Sequence, residues 1–532
     1  MNDIVIPIRR EGKKPPGQPP SDGARPVIQH DPGKLPDNLD QLEAALALLD
    51  GDAQLFTYTG KIVRVYPAPD GKQTGVRRPK GAIVVHTVEP AHLTELATRA
   101  AVHLRFDARS GDYKQIDCPR RVCDAFLSRG SWPGLPQLTG FVEAPTITPD
   151  GRLIDRAGYD PETGLFLAFG EIPGYEPPPS KPTRDDAVNA ADTLATLVDS
   201  FPFVGFEDNA AVIAGIVTAL VRRILPSAPM LAVTAPTPGT GKTMLAETAA
   251  IIATGRRASV LSLGHDDAEA EKRLAGVLLA GDLCVMLDNV ERPLGGDLLC
   301  QVTTQPYVRL RPLGGSSVVN VPTHALLLAT GNNLAVVGDL KRRTILSRLD
   351  AQVERPEQRT FDTNHLDEVF SRRGELIRAA LTLPIAYLAA GMPAIDGLPP
   401  LGGFEEWDLL VRRPLVWAGL PDPLNASDSL REQDPDLAGM RALLSAWHDV
   451  FGDKEVTAAE VLSAGMGSKD LARVPEYPEL YDALQVACAE KPNARRLGTW
   501  LRIHRNRIVD GLQLEQTKTD PKRKVARWRV RS

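Results

Sequence analysis

The chain has 532 residues with a formal net charge of −5, of which 43% are apolar and 24% charged. This length exceeds one ordinary core, and the composition is typical of a globular chain rather than a fibrous or membrane protein. The longest apolar run, Ala210–Val221, is short of the roughly 20 residues of a membrane span, and the five cysteines form no disulfide framework. A cytoplasmic location without a membrane partner is expected.

Residues 1–36, rich in proline, glycine and charge, predict a disordered tail. Residues 37–175 predict an N-terminal α+β domain. Its expected helices are Leu39–Leu49 and Cys118–Arg129, and its expected strands are Lys61–Tyr66 and Ala82–Val88.

Three further segments follow a proline-rich linker at 174–182. Residues 184–383 alternate helices with short apolar strands, the pattern of a parallel α/β sheet. Residues 384–450 predict a helical segment, and residues 455–532 predict a winged-helix-like domain with a final pair of strands.

A glycine-rich loop separates the apolar strand Met230–Ala235 from the helical run MLAETAAIIA. Strand, loop and helix in this order are typical of a phosphate-binding P-loop. The glycines let backbone N–H groups face the phosphates of ATP, and the helix directs its positive end at the same anion. Lys242 is expected to reach the β- and γ-phosphates, and Thr243 to bind Mg²⁺. The predicted nucleotide-binding residues are Pro238, Gly239, Thr240, Gly241, Lys242 and Thr243.

A second apolar strand, Leu283–Leu287, ends in Asp288, which is placed to bind Mg²⁺ through water. Active ATPases often place glutamate after such an aspartate, whereas Asn289 stands here. With asparagine at this position, either hydrolysis is slow or a nearby acid, Glu291 or Glu269, serves in place of the glutamate.

A third apolar strand, Leu326–Ala329, precedes Thr330-Gly331-Asn332-Asn333. Asn332 or Asn333 could orient the attacking water, although Gly-Asn-Asn is also good turn chemistry. Arg342 and Arg343 follow within a basic cluster, and a guanidinium reaching a neighbour's γ-phosphate would stabilise the charge that develops in transfer.

The order of these motifs resembles AAA+ ATPases, most closely the superfamily 3 branch of hexameric helicases. More narrowly, it is similar to the helicase and primase-associated proteins of bacterial mobile elements and phages, and to the helicase part of poxvirus primase-helicases. The resemblance covers about 185–385. Its segments are PTPGTGKT, LCVMLDNV, LLLATGNN and DLKRRTILSRLD, flanked by EAEKRLAGVLLAGD and GRLIDRAGYDPETGL.

The resemblance implies an α/β P-loop NTPase core of AAA+ type, working as a homo-oligomer, a hexameric ring. It implies that Lys242 and Thr243 are Walker A, Asp288 is Walker B and Asn332 or Asn333 is sensor 1. It also implies that Arg342 or Arg343 acts across a subunit interface. Arg372 or Arg373, at the start of a later helix, loosely matches sensor 2.

Two segments are candidates for contact with DNA. Tyr307–Leu313 and Val318–Val321 predict a hairpin, whose counterpart in the resembled helicases projects into the central channel and grips DNA; Arg309 and Arg311 alternate along one of its faces. A surface hairpin is the alternative, because the tip GGSS lacks lysine and histidine. In the C-terminal domain Arg495, Arg502 and Arg505 are expected to contact nucleic acid, since 495–531 has twelve basic and three acidic residues.

These observations favour an ATP-dependent DNA helicase that uses ATP and Mg²⁺ and acts in replication of a mobile element or phage. A non-unwinding initiator or helicase loader, with ATP as an assembly switch, is an alternative. A regulatory or defence ATPase that does not bind DNA is another. In residues 37–175 the only DxD, Asp50-Gly51-Asp52, follows a helical run rather than a strand, so a collar or a contact with a replication partner protein is favoured over primase chemistry.

Overall fold

A computed structural model describes residues 25–67, 76–262, 267–310, 319–353, 355–356, 364–427, 435–466, 477–488, 492–519 and 525–532. The protein is a mixed α/β molecule with a parallel sheet. It forms two compact units, 1–427 and 428–532. The division falls inside the stretch 384–450 that the sequence predicts as one helical segment. Among the described helices, none combines the length and apolarity needed to span a membrane.

The N-terminal part of the first unit, 25–175, is built of short strands and helices. Its helices are α1 (Leu35–Leu46), α2 (Pro90–Ala100) and α3 (Arg120–Ser128), with a 3₁₀ turn at Gly51–Ala53. Its strands are β1 (Val27–Gln29), β2 (Phe56–Tyr58), β3 (Lys61–Pro67), β4 (Val76–Arg77), β5 (Ile83–Thr87), β6 (Val102–Asp107), β7 (Asp112–Ile116), β8 (Gly140–Val142), β9 (Thr146–Ile147), β10 (Leu153–Ile154), β11 (Gly158–Asp160) and β12 (Leu165–Leu167).

These strands form small sheets in the orders β1-β6-β7, β2-β3-β5, β11-β12-β8 and β10-β9. Strand β1 lies within the tail predicted for 1–36, so that prediction is wrong for its last part. The physical reason is Ile28, which is 1% exposed because it packs into an apolar cluster with side chains of α1, α2 and α3. Residues 1–24 of the predicted tail lie outside the described residues.

The rest of the first unit alternates helices and strands. Its helices are α4 (Arg184–Val198), α5 (Phe206–Val221), α6 (Lys242–Thr254), α7 (Asp267–Ala280), α8 (Asp297–Thr304), α9 (His365–Ser371), α10 (Arg373–Ala389), α11 (Glu405–Trp407) and α12 (Arg413–Trp417), with 3₁₀ turns at Arg222–Ile224, Gly338–Arg343 and Asn425–Ser427 and a π-helical turn at Asp408–Arg412. Its strands are β13 (Met230–Ala235), β14 (Ser259–Leu261), β15 (Cys284–Leu287), β16 (Tyr307–Leu310), β17 (Val319–Pro322), β18 (Leu326–Asn332) and β19 (Thr344–Arg348).

The central sheet has the order β19-β13-β18-β15-β14-β4. The first five strands are parallel, and β4 from the N-terminal part pairs antiparallel with β14. The inner strands are buried on both faces, as their apolar runs predict. The carboxyl ends of β13, β18 and β15 therefore lie side by side at one edge.

Buried arginines connect the N-terminal part to this sheet. Arg78 forms a two-pronged ion pair with Asp282, with Nη2 and Oδ2 2.7 Å apart and both side chains under 10% exposed. Arg223 donates to the carbonyl of Phe141 at 3.1 Å. The two parts share one apolar cluster, so they form a single folded body.

The second unit has its own core around the buried Trp447 and Trp528. Its strands form an antiparallel sheet in the order β20-β23-β22-β21. Its elements are α13 (Pro435–Phe451), β20 (Val456–Thr457), α14 (Ala458–Met466), α15 (Pro478–Ala487), α16 (Ala494–Ile503), β21 (Ile508–Val509), β22 (Leu512–Thr519) and β23 (Ala526–Arg531).

Candidate functional site

The glycine-rich loop, residues 236–241, connects β13 directly to α6. Gly239 and Gly241 adopt φ angles of 77° and 95°, in the left-handed region that favours glycine. At Gly241 a Cβ atom would also lie 2.6 Å from a ring carbon of Phe201, so a side chain has no room there. The loop thus curls back over the first turn of α6, where backbone N–H groups are unpaired within the helix.

Lys242, the first residue of α6, folds its side chain over this loop. Its Nζ donates to the carbonyl of Thr237 at 2.9 Å and to Oγ1 of Thr240 at 3.2 Å. Burial lowers the pKa of Lys242 below its usual value, while the carboxylate of Asp288 acts in the opposite direction. The ammonium group is thus bound by uncharged oxygens. An anionic ligand would displace them because it attracts the cation more strongly.

Asp288 follows β15 and accepts two hydrogen bonds on the same oxygen. Thr243 Oγ1 donates to Asp288 Oδ1 at 2.9 Å, and Thr330 Oγ1 donates to it at 2.6 Å. A hydroxyl and a carboxylate at this separation are hard oxygen ligands of the kind Mg²⁺ prefers, with phosphate oxygens and water completing its shell. The residues present fit a magnesium–nucleotide complex.

Thr330 is a residue of the candidate site that the sequence motifs do not indicate. It is 1% exposed on β18, and its hydroxyl also accepts from the backbone N–H of Asn289 at 3.1 Å. Asn289 adopts a φ of 51°, which this bond helps to fix. What indicates Thr330 in the sequence is its position as the one polar residue at the end of the apolar run LLLAT.

Asn332 and Asn333 lie at the carboxyl end of β18, between the glycine-rich loop and Asp288. Asn332 pairs in register with Ala235, and the N–H of Asn333 donates to the carbonyl of Ala235 at 2.9 Å. Both asparagines are exposed at this edge. The structure thus places the three predicted motifs at the ends of adjacent strands.

The two acids considered in place of a glutamate after Asp288 have different surroundings. Oε1 of Glu291 accepts from Nδ2 of Asn289 at 3.2 Å, beside Asp288. Glu269 lies on α7, where it pairs with Arg273 at 3.3 Å. Only Glu291 of these two is held by a residue that adjoins Asp288.

Arg342 and Arg343 are not brought to the glycine-rich loop of their own chain. They precede Thr344, which pairs with Met230 at the start of β13, so roughly 17 Å of strand separates them from the loop. Arg343 is 13% exposed, pairs with Asp339 at 2.5 Å and donates to the carbonyl of Cys300 at 3.0 Å. Arg342 is 60% exposed and also pairs with Asp339.

The loose match of Arg372 or Arg373 to sensor 2 does not hold for Arg373. Its Nε donates to the carbonyls of Ile251 and Ile252 at 3.1 and 3.0 Å, at the far end of α6. That end is about 15 Å from the glycine-rich loop. Arg372 pairs instead with acids of its own segment, Glu368 at 2.6 Å and Glu375 at 2.9 Å.

The hairpin of the core is present as the antiparallel pair β16 and β17. Arg309 pairs in register with Asn320 and is exposed, whereas its neighbour Val308 is buried against the unit. The predicted strands extend to Leu313 and begin at Val318, but residues 311–318, with Arg311, lie outside the described residues.

In the second unit the predicted DNA contacts lie on or just after α16. Arg495, Arg502 and Arg505 are exposed, and Nε of Arg502 donates to the carbonyl of Gly498 at 3.0 Å. Leu497 and Leu501 bury the opposite side of the helix. The basic side of α16 therefore faces away from the core of this unit.

Comparisons with known proteins give remote structural matches. No protein-family model matches the chain, and no curated protein matches it. The apo C-terminal region of NrS-1 is 14% identical at a TM-score of 0.35, covering 84% of this chain and 100% of that one. The structure titled SCCmec type IV Cch, active helicase, is 14% identical at a TM-score of 0.34, covering 91% and 98%.

The candidate site combines groups of the kind that bind phosphate and a divalent cation in other proteins. The glycine-rich loop and Lys242 offer N–H donors and a cation to phosphate oxygens. Thr243 and Asp288 offer ligands to a divalent cation, and exposed amide and carboxylate side chains stand beside them. Catalysis of this kind depends on positioning and on neutralising charge rather than on a covalent nucleophile.

Proposed function

We propose that the chain is an ATP-dependent DNA helicase with an AAA+-type P-loop core. It would act as a hexameric ring that translocates on single-stranded DNA during replication of a mobile element or phage. The observation that carries the proposal is the convergence of Lys242, the Thr243–Asp288 pair and Asn332 at the ends of adjacent parallel strands. The resemblance of the motifs to superfamily 3 helicases supports the same function.

In the proposed hydrolysis the loop amides and Lys242 hold the β- and γ-phosphates. Thr243 and Asp288 would hold Mg²⁺, and the ion would supply neutralisation of the charge on the phosphate oxygens. Asn332 or Asn333 orients a water molecule for in-line attack on the γ-phosphorus. Water adds to phosphorus as the bond to the ADP oxygen breaks, and the water's proton goes to an acceptor.

We assign that acceptor to Glu291. Its carboxylate is exposed and accepts from Asn289, the residue after Asp288. Asn289 cannot take a proton itself, but its amide can aim Glu291 toward the edge where the phosphates would lie. Proton transfer to a positioned carboxylate typically contributes about 10²–10⁴ in rate.

Arg342 is the better candidate for a residue that acts on a neighbouring subunit. It lies at the opposite end of β13 from the loop of its own chain, so it can reach a γ-phosphate only in another copy. Arg343 is held by α8 and Asp339, and it is better suited to support the turn that presents Arg342. This division of roles requires an oligomer for full activity.

Arg309 on the β16–β17 hairpin would contact DNA phosphates in the channel. The second unit would act as a winged-helix domain, with α16 as the helix that contacts DNA. Its exposed arginines, together with Arg531 and other basic residues of the C-terminal stretch, would neutralise phosphates. Binding through such contacts weakens steeply as salt rises.

The test is unwinding of a forked DNA duplex with ATP and Mg²⁺ by the full chain. Lys242→Ala is expected to abolish both hydrolysis and unwinding. Arg309→Ala is expected to lose unwinding while hydrolysing ATP in the absence of DNA. Arg156→Ala serves as the matched control, because Arg156 is exposed and is remote in sequence from the glycine-rich loop and from the β16–β17 hairpin. Unwinding by Lys242→Ala at the wild-type rate contradicts the proposal.

One observation favours a second candidate, an initiator or loader that does not unwind DNA. Asn289 replaces the acidic residue that usually follows the aspartate, which is compatible with ATP acting as a slow assembly switch. Strong ATP-dependent binding of duplex DNA by the wild type, without strand separation, would select this candidate over the helicase.

A further inference from the structure

The small sheet β1-β6-β7 in the N-terminal part has two unlike faces. Side chains alternate between the faces of a strand, and the pairing register aligns Val27 with Val102 and Phe106 with Tyr113. One face carries Ile28 and His103, both buried against the helices. We name the other the outer face, formed by Val27, Gln29, Val102, Leu104, Phe106, Tyr113 and Gln115.

The outer face is apolar and open to solvent. Val27 is 52% exposed, Phe106 50% and Tyr113 37%. Val102 and Leu104 are half-buried beside them and belong to none of the apolar clusters of the described residues. Large side chains exposed together on a sheet are typical of a binding surface rather than of ordinary surface composition.

Two aromatic rings stand on this face near the turn that joins β6 and β7. Phe106 and Tyr113 are directly opposite each other, with ring centroids 5.6 Å apart and planes at 67°. The hydroxyl of Tyr113 donates to Asp31 at 3.0 Å, which fixes its ring. Gln29 and Gln115 supply exposed amides on the same face. Fixed aromatic rings flanked by amides offer stacking surfaces and hydrogen bonds together.

The segment that contains β6 and β7 is basic although the chain as a whole is acidic. Residues 99–121 contain six arginines or lysines and three aspartates, whereas the whole chain has a net charge of −5. Arg109 is exposed in the turn between β6 and β7, next to Phe106 and Tyr113 along the chain. Arg105 lies on the opposite face with His103, and Arg25 donates to the carbonyl of Thr98 on α2 at 3.2 Å. Arg109 is therefore the cation that the hairpin turn offers to a phosphate beside the two rings.

We propose that the outer face binds single-stranded DNA, with bases stacked on Phe106 and Tyr113 and a phosphate near Arg109. Stacking on aromatic side chains beside a positive rim is the usual way to bind single strands without sequence preference. In a duplex the base faces are already stacked on one another, so they are closed to these rings. The inference rests on the proposed function for its ligand, because a helicase generates single strands.

The test measures binding of fluorescent oligo(dT) to the full chain without nucleotide. Phe106→Ala/Tyr113→Ala is expected to raise Kd about tenfold or more, since each stacked base contributes substantially to affinity. Phe106→Tyr/Tyr113→Phe should retain binding because it keeps both rings. Phe370→Ala, at an exposed phenylalanine on α9, is the matched control and should bind as the wild type does.

Cross-linking separates this site from the other DNA contacts. An oligonucleotide carrying 5-iodouracil, illuminated on the wild type, is expected to label peptides containing Phe106 or Tyr113. Absence of label there, or unchanged Kd in the double alanine variant, overturns the inference and leaves a partner protein as the occupant of the face. A wild type that labels at these residues but does not unwind forked DNA contradicts the helicase proposal and not this one.

Discussion

The end of the central sheet and the outer face of the β1-β6-β7 sheet are two candidate sites built in opposite ways. At the central sheet, polar residues follow buried strands within short contiguous motifs, so each motif is legible along the chain. On the outer face, the residues alternate along strands at 27–29, 102–107 and 112–116, and only the register brings them together. A phosphate-binding site can thus be predicted from contiguous sequence motifs, whereas a surface for stacking bases cannot.

The largest expected effect separates the two sites. Lys242→Ala removes a cation that faces the phosphates, so ATP turnover should fall at least about 100-fold. Binding of oligo(dT) without nucleotide should stay within about twofold of the wild type, because the outer face does not use Lys242. Turnover is measured by phosphate release and binding by fluorescence anisotropy. A parallel loss of both activities would show that the sites are not independent.

Glu291→Gln sharpens the description of the first site. If Glu291 accepts the water's proton, kcat should fall by about 10²–10⁴ with little change in KM. Glu269→Gln is the matched control, since Glu269 pairs with Arg273 on α7 and should keep normal turnover. Steady-state kinetics on both variants decide this. Equal turnover of Glu291→Gln and wild type would remove Glu291 from the mechanism.

Arg78→Ala tests the ion pair that connects the N-terminal part of the first unit to the central sheet. The change leaves the buried Asp282 carboxylate without its ion-pair partner, which typically costs about 3–5 kcal/mol of unfolding free energy. Denaturant unfolding followed by tryptophan fluorescence measures this change. The exposed pair of Arg99 and Glu95 offers a comparison, because Arg99→Ala should cost at most about 1 kcal/mol. Similar losses in both variants would contradict a buried connection.

The smallest expected effect is a pH dependence of stability, which arises from His30 and His103 on the buried face of the β1-β6-β7 sheet. His30 Nε2 and His103 Nδ1 lie 2.8 Å apart, and His103 Nε2 lies 3.0 Å from the carbonyl of Ala97. Burial, then the neighbouring His103, lowers the pKa of His30 to about 4, and burial also lowers the pKa of His103. Other charged groups acting on the pair are Arg25, Asp31, Arg105, Asp117 and Arg121.

Because the folded-state pKa lies below the unfolded value of 6.5, the neutral pair stabilises the fold above that pH. This stability should be lost as pH falls from about 6.5 toward 4. Thermal unfolding at a series of pH values measures the loss. In His30→Gln, whose amide does not titrate in this range, the dependence should be flatter. An identical pH profile in wild type and variant would contradict the assignment.

The sequence predicts elements well where one local pattern determines them. The strands expected at 61–66 and 82–88 are confirmed as Lys61–Pro67 and Ile83–Thr87, and the parallel α/β pattern of 184–383 is confirmed by the central sheet. The helix expected at 118–129 is present as Arg120–Ser128. These patterns depend on apolar periodicity, which needs no distant partner.

What the sequence did not predict depends on tertiary contacts. Strand β1 is only three residues long and is ordered by its parallel pairing with β6 and by the burial of Ile28. The position of Arg373 at the far end of α6 could not be distinguished from a site near phosphate by spacing alone. Thr330 became a candidate only when β18 was found between β13 and β15. The assigned roles of Lys242, Asp288, Asn332 and Arg342 stay predictions.

The pairing of Arg78 with Asp282 has a consequence during synthesis of the chain. The two residues are 204 positions apart, and β4 is separated from its partner strand β14 by a similar length of chain. At about 5–20 residues per second, the ribosome makes Arg78 roughly 10–40 s before its partner. The N-terminal part therefore emerges from the ribosome well before the residues that complete its contacts with the central sheet are made.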